Sequence, residues 1–268
     1  MNAHATRIGM LAGWVLAALL GCDSGTENLA SPVRGILGED PAPKLVVVFV
    51  DASASVTPED WGIYRRSYDA LLETLEPGDR LILAPIWERT LTAFSPLADR
   101  ALRKQGKAIP DNEERCRAVE ELRGAFDRIP KGAQMTHILD ALRAAQQRFA
   151  AYSTWKTRWL VLLSDMLEDS PEGSFAKATP DEKATAGLVD GQRRKGSFPD
   201  LAGVSVFAAG ATAPTAARMG EVERFWRAYL AETGAVVAQG AYGRDVPGFP
   251  PSQGRRLPCR PDAPEVPG

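Results

Sequence analysis

Histidine is nearly absent from this sequence. There are two in the chain, and His4 falls within the apolar leader described below, which leaves His137. A zinc cluster of histidines is thereby excluded, and a Ser-His-Asp triad would have to be built on that one residue. Neither a Walker-type phosphate loop nor a Gly-x-Ser-x-Gly elbow occurs, so two common hydrolase signatures are missing as well. An excess of positive charge is also lacking. The chain has 32 Lys+Arg against 34 Asp+Glu, and removing residues 1–21 takes away only Arg7, leaving 31 against 34, a net −3. No strongly basic surface follows, and nucleic acid is not an expected partner. Internal repeats and an apolar run of membrane-spanning length are absent.

Residues 1–21 place one basic residue ahead of an apolar run from Ile8 to Leu20. That run is shorter than the about 20 residues a helical bilayer span needs, and it reads as a signal peptide. It ends Leu19-Leu20-Gly21-Cys22, which resembles the lipobox of bacterial lipoproteins, although Leu20 is a less usual residue at its position. The resemblance implies that Cys22 is lipidated and becomes the first residue, so that a lipid anchor holds a periplasm-facing protein in the bacterial cell envelope. It also implies that Asp23 is a retention signal for the inner membrane. The polar stretch 22–43 reads as a flexible tether. With Cys22 carrying lipid, Cys116 and Cys259 remain. In an oxidising periplasm they either pair, contributing on the order of 4 kcal/mol on the chain-entropy model, or stay free.

The stretch that organises the rest is Lys44 to Ser55, Lys-Leu-Val-Val-Val-Phe-Val-Asp-Ala-Ser-Ala-Ser. Its apolar, β-branched run predicts a strand buried on both faces, as in the middle of a parallel sheet flanked by helices. In such sheets ligands sit beyond the carboxyl ends of the strands, which is where Asp51, Ser53 and Ser55 emerge. One carboxylate and two hydroxyls are hard oxygen ligands suited to magnesium. Pro58 to Leu75 predicts a helix capped by Thr57 and buried through Trp61, Tyr64, Tyr68, Leu71, Leu72 and Leu75. Arg80 to Trp87 predicts a second strand, and Thr90 to Phe94 an antiparallel return at the sheet edge. Residues 96–129 look helical but charged, with an interruption at Ile109-Pro110. A glycine-bearing loop from Lys131 then delivers Thr136 to the start of a helix, where an N-cap role explains it. Trp159 to Asp165 is another buried strand ending in a carboxylate.

Asp51-Ala-Ser53-Ala-Ser55, Thr136 in its loop followed by Asp140-Ala-Leu, and Asp165 after a hydrophobic strand together resemble the metal-ion-dependent adhesion site of a von Willebrand factor A domain. The resemblance covers roughly residues 44–239. It implies a doubly wound, mostly parallel α/β sheet with helices on both faces, Rossmann-like, and a metal at its top. Asp51, Ser53, Ser55, Thr136 and Asp165 would be the five site positions, with Mg2+, or else Mn2+ or Ca2+, as the ion. One departure is Met166, where many family members carry glycine, which bears on the shape of the last loop. The function implied is a membrane-tethered protein-binding module that accepts a partner's Asp or Glu at the metal, and not an enzyme. Asp51 at the end of a first strand is also similar to the nucleophile of haloacid-dehalogenase-type phosphotransferases, but Ser53 replaces the acid those enzymes need two residues on. A magnesium-dependent phosphohydrolase or phosphotransferase, or a structural scaffold with an empty site, are therefore the alternatives.

Beyond Asp165, Glu168 to Pro199 reads as a polar surface insertion with a helix from Pro180 to Arg194. Val204 to Ala209 predicts a strand, Thr215 to Thr233 a helix ended by Gly234, and Ala235 to Ala238 a last short strand. His137, at a helix start, is expected to be partly exposed. The domain then spans 44–242, and 243–268 is a proline-rich tail that holds Cys259.

Overall fold

The computed structural model describes residues 42–175, 178–245, 247–251 and 259. The leader 1–21, Cys22, Asp23 and nearly all of the 22–43 tether lie outside the described residues, as does most of the tail after Pro251. In chain order the elements are β1 (Lys44–Asp51), α1 (Pro58–Leu72), β2 (Arg80–Ile86), β3 (Ala98–Ala101), α2 (Ala108–Asp127), α3 (Ile138–Ala151), β4 (Thr157–Leu163), β5 (Asp169–Ser170), β6 (Gly173–Ser174), α4 (Glu182–Lys195), β7 (Val204–Ala209) and α5 (Ala216–Glu232). None of the described helices is long and apolar enough to cross a membrane.

β1 is buried along its whole length. Val46, Val48 and Val50 enter one core with α1 and α2, while Leu45, Val47 and Phe49 enter the other with α3 and α5. Two-sided burial is what the unbroken apolar run requires, and each such side chain contributes about 1.5–3 kcal/mol. β1 pairs in parallel with β2 and β4, β4 pairs in parallel with β7, and β3 closes the other edge antiparallel to β2. The order is β3-β2-β1-β4-β7, a mostly parallel sheet with helices on both faces. A separate two-stranded ribbon, β5 with β6, follows the end of β4.

Helix ends follow local chemistry. Thr57 and Asp60 form a capping box at α1, with Pro58 in the first turn. Past α5, Gly234 has φ +77°, and a Cβ there would lie 3.1 Å from the Ala202 Cα, so both backbone and space demand glycine. Cys116 and Cys259 are bonded, their Cα atoms 5.5 Å apart, which fastens the tail to α2.

Several expectations need correction. The antiparallel edge strand is Ala98–Ala101, not Thr90 to Phe94. Thr90 instead closes a turn, its hydroxyl accepting from the Trp87 amide at 2.8 Å and donating to the Trp87 carbonyl at 2.7 Å. Pro110 does not interrupt α2, because it lies in the first turn, where a missing N–H has no acceptor to lose. α1 stops at Leu72, earlier than Leu75, in a turn where the Thr74 amide donates to the Leu71 carbonyl at 2.8 Å. Ala235 to Ala238 forms only a bridge from Val236 to Ser205, and the chain rejoins β7 at Tyr242 opposite Ala208. The polar 168–199 insertion is anchored to the body of the fold: Glu168, Phe175 and Val189 are buried, and the Arg143 guanidinium pairs with Glu172, which accepts at 2.7 Å from Gln192.

Candidate metal site

Asp51 ends β1 and is wholly buried. One carboxylate oxygen accepts from the Ser53 amide at 2.9 Å and the other from the Ser164 hydroxyl at 2.8 Å. Ser53 is buried, Ser55 is exposed, and their hydroxyls lie 2.9 Å apart. The turn is stitched to the loop that leads to Thr136: the amides of Gly132 and Ala133 donate to the Ala52 carbonyl at 2.8 and 2.9 Å, and the Ala54 amide donates to the Ala133 carbonyl at 2.9 Å. Thr136 is buried as well, and its side chain is one of the groups that hold the Asp51 carboxyl down. Asp165, just past β4, is buried as well and accepts from the Leu167 amide at 2.9 Å.

The electrostatics are those of two acids forced together. Burial raises the Asp51 carboxyl above its ordinary range, opposed by hydrogen bonds from Ser53, Ser164 and Thr136. Asp165 is pushed up to about 7, first by burial and then by the like charge of Asp51. Neither carboxylate joins a Lys, Arg or His among the described residues. Tyr64, fully buried below, has its phenol pushed up by burial and by the charges of Asp51, Asp165 and Asp60. It also fixes the neighbouring loop after β7, since a Cβ at Gly210 (φ +91°) would fall 2.2 Å from the Tyr64 ring.

Two predicted details differ. Thr136 is not the N-cap of α3. His137 holds that position without a side-chain cap bond, and the amides of Ile138 and Leu139 donate to Glu168 at 2.8 and 3.1 Å. His137 is buried, not partly exposed, with its Nδ1 3.3 Å from Asp140. Met166 adopts φ +66°, the left-handed backbone that glycine takes without cost. The strain of roughly 1–2 kcal/mol is held in place by full burial, by its amide donating to Ser164 Oγ at 3.0 Å and by Trp226 Nε1 donating to its carbonyl at 2.8 Å.

Ser164, Glu168 and Tyr64 escaped sequence reasoning. Ser164 alone left a signal, a polar residue closing an apolar strand one place before Asp165. Glu168 stood as one acid in a polar stretch, and Tyr64 as one ring in an apolar stripe.

The donor set fits a hard divalent cation: two carboxylates short of a counter-ion, with three neutral hydroxyls and no nitrogen or sulfur. Among the described residues no group of three or more His, Cys, Asp or Glu is placed to hold a metal, so binding here would rely on the hydroxyls to complete the set.

No family model and no curated protein matches the chain. Among solved structures it is similar to a von Willebrand factor type A protein from Catenulispora acidiphila, at 17% identity and TM-score 0.40, over 74% of this chain and 38% of that one. It is similar to the pilus adhesin SpaC from Lactobacillus rhamnosus GG in its open conformation, at 15% identity and TM-score 0.43, over 76% and 28%. A third is the manganese-loaded TRAP protein of Plasmodium vivax, at 11% identity and TM-score 0.38, over 74% and 68%. The chain thus spans well under half the length of the first two. What the site can bind follows from its own residues.

Proposed function

We propose that this chain is a von Willebrand factor A-type module that binds a partner protein through a divalent cation held by Asp51, Ser53, Ser55, Thr136 and Asp165. The observation that carries it is the pair of buried carboxylates, Asp51 and Asp165, the second raised further by the charge of the first, with no Lys, Arg or His paired to either among the described residues. When bound, the ion supplies a positive centre with positions open to an Asp or Glu of the partner. Asp51 and Asp165 supply the negative charge. The three hydroxyls add oxygens without adding charge, which keeps the centre attractive to a further acid. The Ser53 amide and Ser164 hydroxyl hold the Asp51 carboxylate in one orientation. Lipidation at Cys22 and a tether through residues 22–43 would place the module on the periplasmic side of a bacterial envelope, with Asp23 favouring the inner membrane. A phosphotransferase reading is weaker, because the hydroxyl of Ser53, at the position of the needed acid, is engaged with Ser55.

The test is thermal melting of residues 23–268 after chelation, as Mg2+, Mn2+ or Ca2+ is added. Occupancy at 100 times Kd is expected to stabilise by about 2.7 kcal/mol. If no ion moves the melt, the metal-first reading is wrong.

A further inference from the structure

Two of the loops that build the site are joined by a side chain that is not one of its five donors. Glu168 stands three residues beyond Asp165 and is wholly buried. It reaches across to accept from the Ile138 and Leu139 amides at 2.8 and 3.1 Å, the first two of α3, just after Thr136. A helix start is ordinarily capped by the residue that precedes it or from its own first turn. Here the cap arrives from a segment 30 residues away in sequence. The backbone reinforces the join, with the Thr136 amide donating to the Asp169 carbonyl at 3.2 Å and the Asp169 amide to the Thr136 carbonyl at 2.9 Å. The start of α3 therefore cannot shift without dragging the segment that follows Asp165.

We propose that Glu168 is a positioning residue of the metal site, a clamp that sets Thr136 against Asp165 by capping α3 from the opposite loop. It rests on the metal-binding reading above for its consequence, whereas the coupling of the loops is measurable without metal. Groups bonded directly to a metal ligand are commonly worth about 10–100-fold in metal affinity, and Glu168, which acts through the backbone beside Thr136, belongs at the lower end of that range.

In the full chain, Glu168→Ala is expected to weaken Mg2+ or Mn2+ binding, read by calorimetry, by at least about tenfold. In the metal-free protein the same variant is expected to speed amide exchange at Thr136 and Asp169 by about tenfold. Glu168→Gln is expected to restore both, since one amide oxygen can accept from both N–H groups. Burial also holds the native carboxyl up at about 8, so that near neutral pH the uncharged form already predominates. Should Glu168→Ala fail to fold, Glu168→Asp, one methylene short of both amides, carries the same expectation. Glu172→Gln, in the same insertion as Glu168, weakens the link to Arg143 of α3 and is the control, which should lower the melt while leaving both readouts in place. If a Glu168 variant melts lower yet holds metal as tightly and keeps Thr136 and Asp169 protected, the residue is merely structural and the proposal falls. If the native chain binds no divalent ion while exchange responds as expected, the clamp is upheld and the metal reading is what fails.

Discussion

β1 carries a charged residue at each end, and the fold treats the two in opposite ways. At its start, Lys44 is buried together with Asp79. Its ammonium pairs with that carboxylate and donates to the Thr74 carbonyl at 2.8 Å, while its amide donates to Asp79 at 2.8 Å. At its end, Asp51 is as deeply buried, but its partners are hydroxyls and an amide, and its charge burdens Asp165 beside it. A buried acid that has its counter-ion within the chain is part of the scaffold. One left without is either protonated or awaiting a cation from solution.

Each end of β1 can be tested by itself. The largest effect is expected at the scaffold end. Asp79→Ala leaves Lys44 buried and unpaired and should cost about 3–5 kcal/mol in denaturant unfolding, with the metal response intact. An unchanged midpoint would mean that the two ends do not differ as described. Next comes the site end, where Asp51→Asn should abolish the metal-dependent rise of about 2.7 kcal/mol at 100 times Kd. The metal-free variant should melt no lower than the native chain, because a buried charge has been removed. A large loss without metal would return Asp51 to the scaffold.

The smallest effect is the pH dependence of metal affinity, which follows from two raised carboxyls. Asp165 lies at about 7 against an ordinary 3.8, and Glu168 at about 8 against 4.5, both raised chiefly by burial. The metal-free fold then keeps protons that the unfolded chain has released, so its stability should fall as pH rises from roughly 4 to 8 and level off above. Metal affinity should run the other way, about tenfold weaker at pH 6 than at pH 8, since Asp165 must give up its proton. Calorimetry at the two pH values checks the sign, and equal affinities would remove the proton competition.

The parts readable in the sequence were those whose signal is local. β1 announced itself through a run with no polar gap, α1 through Thr57, Pro58 and its apolar spacing, and α5 through Val222, Phe225, Trp226, Tyr229 and Leu230, all buried. Asp51 and Asp165 stood out because each closes such a run. What stayed hidden depends on distant partners. β3 is a half-covered edge strand, Ala-Asp-Arg-Ala, whose pairing with β2 comes from register and not from its own pattern. The acceptor for the α3 amides lies in another loop, so Thr136 looked like a cap while Glu168 looked like solvent-facing polarity. Met166 was informative in an unexpected way. Its backbone takes the glycine-like conformation although the side chain is large, because Ser164 and Trp226 hold it there.

The placement of β1 has a mechanical consequence. It is the first described element, it begins at Lys44 and it ends at Asp51, so if a partner is gripped at the proposed site, the part of a pull that Asp51 carries to the preceding chain would run down one strand roughly 26 Å long. Parallel neighbours on both sides, β2 and β4, load in shear across that length and give way together, not one bond at a time like a zip.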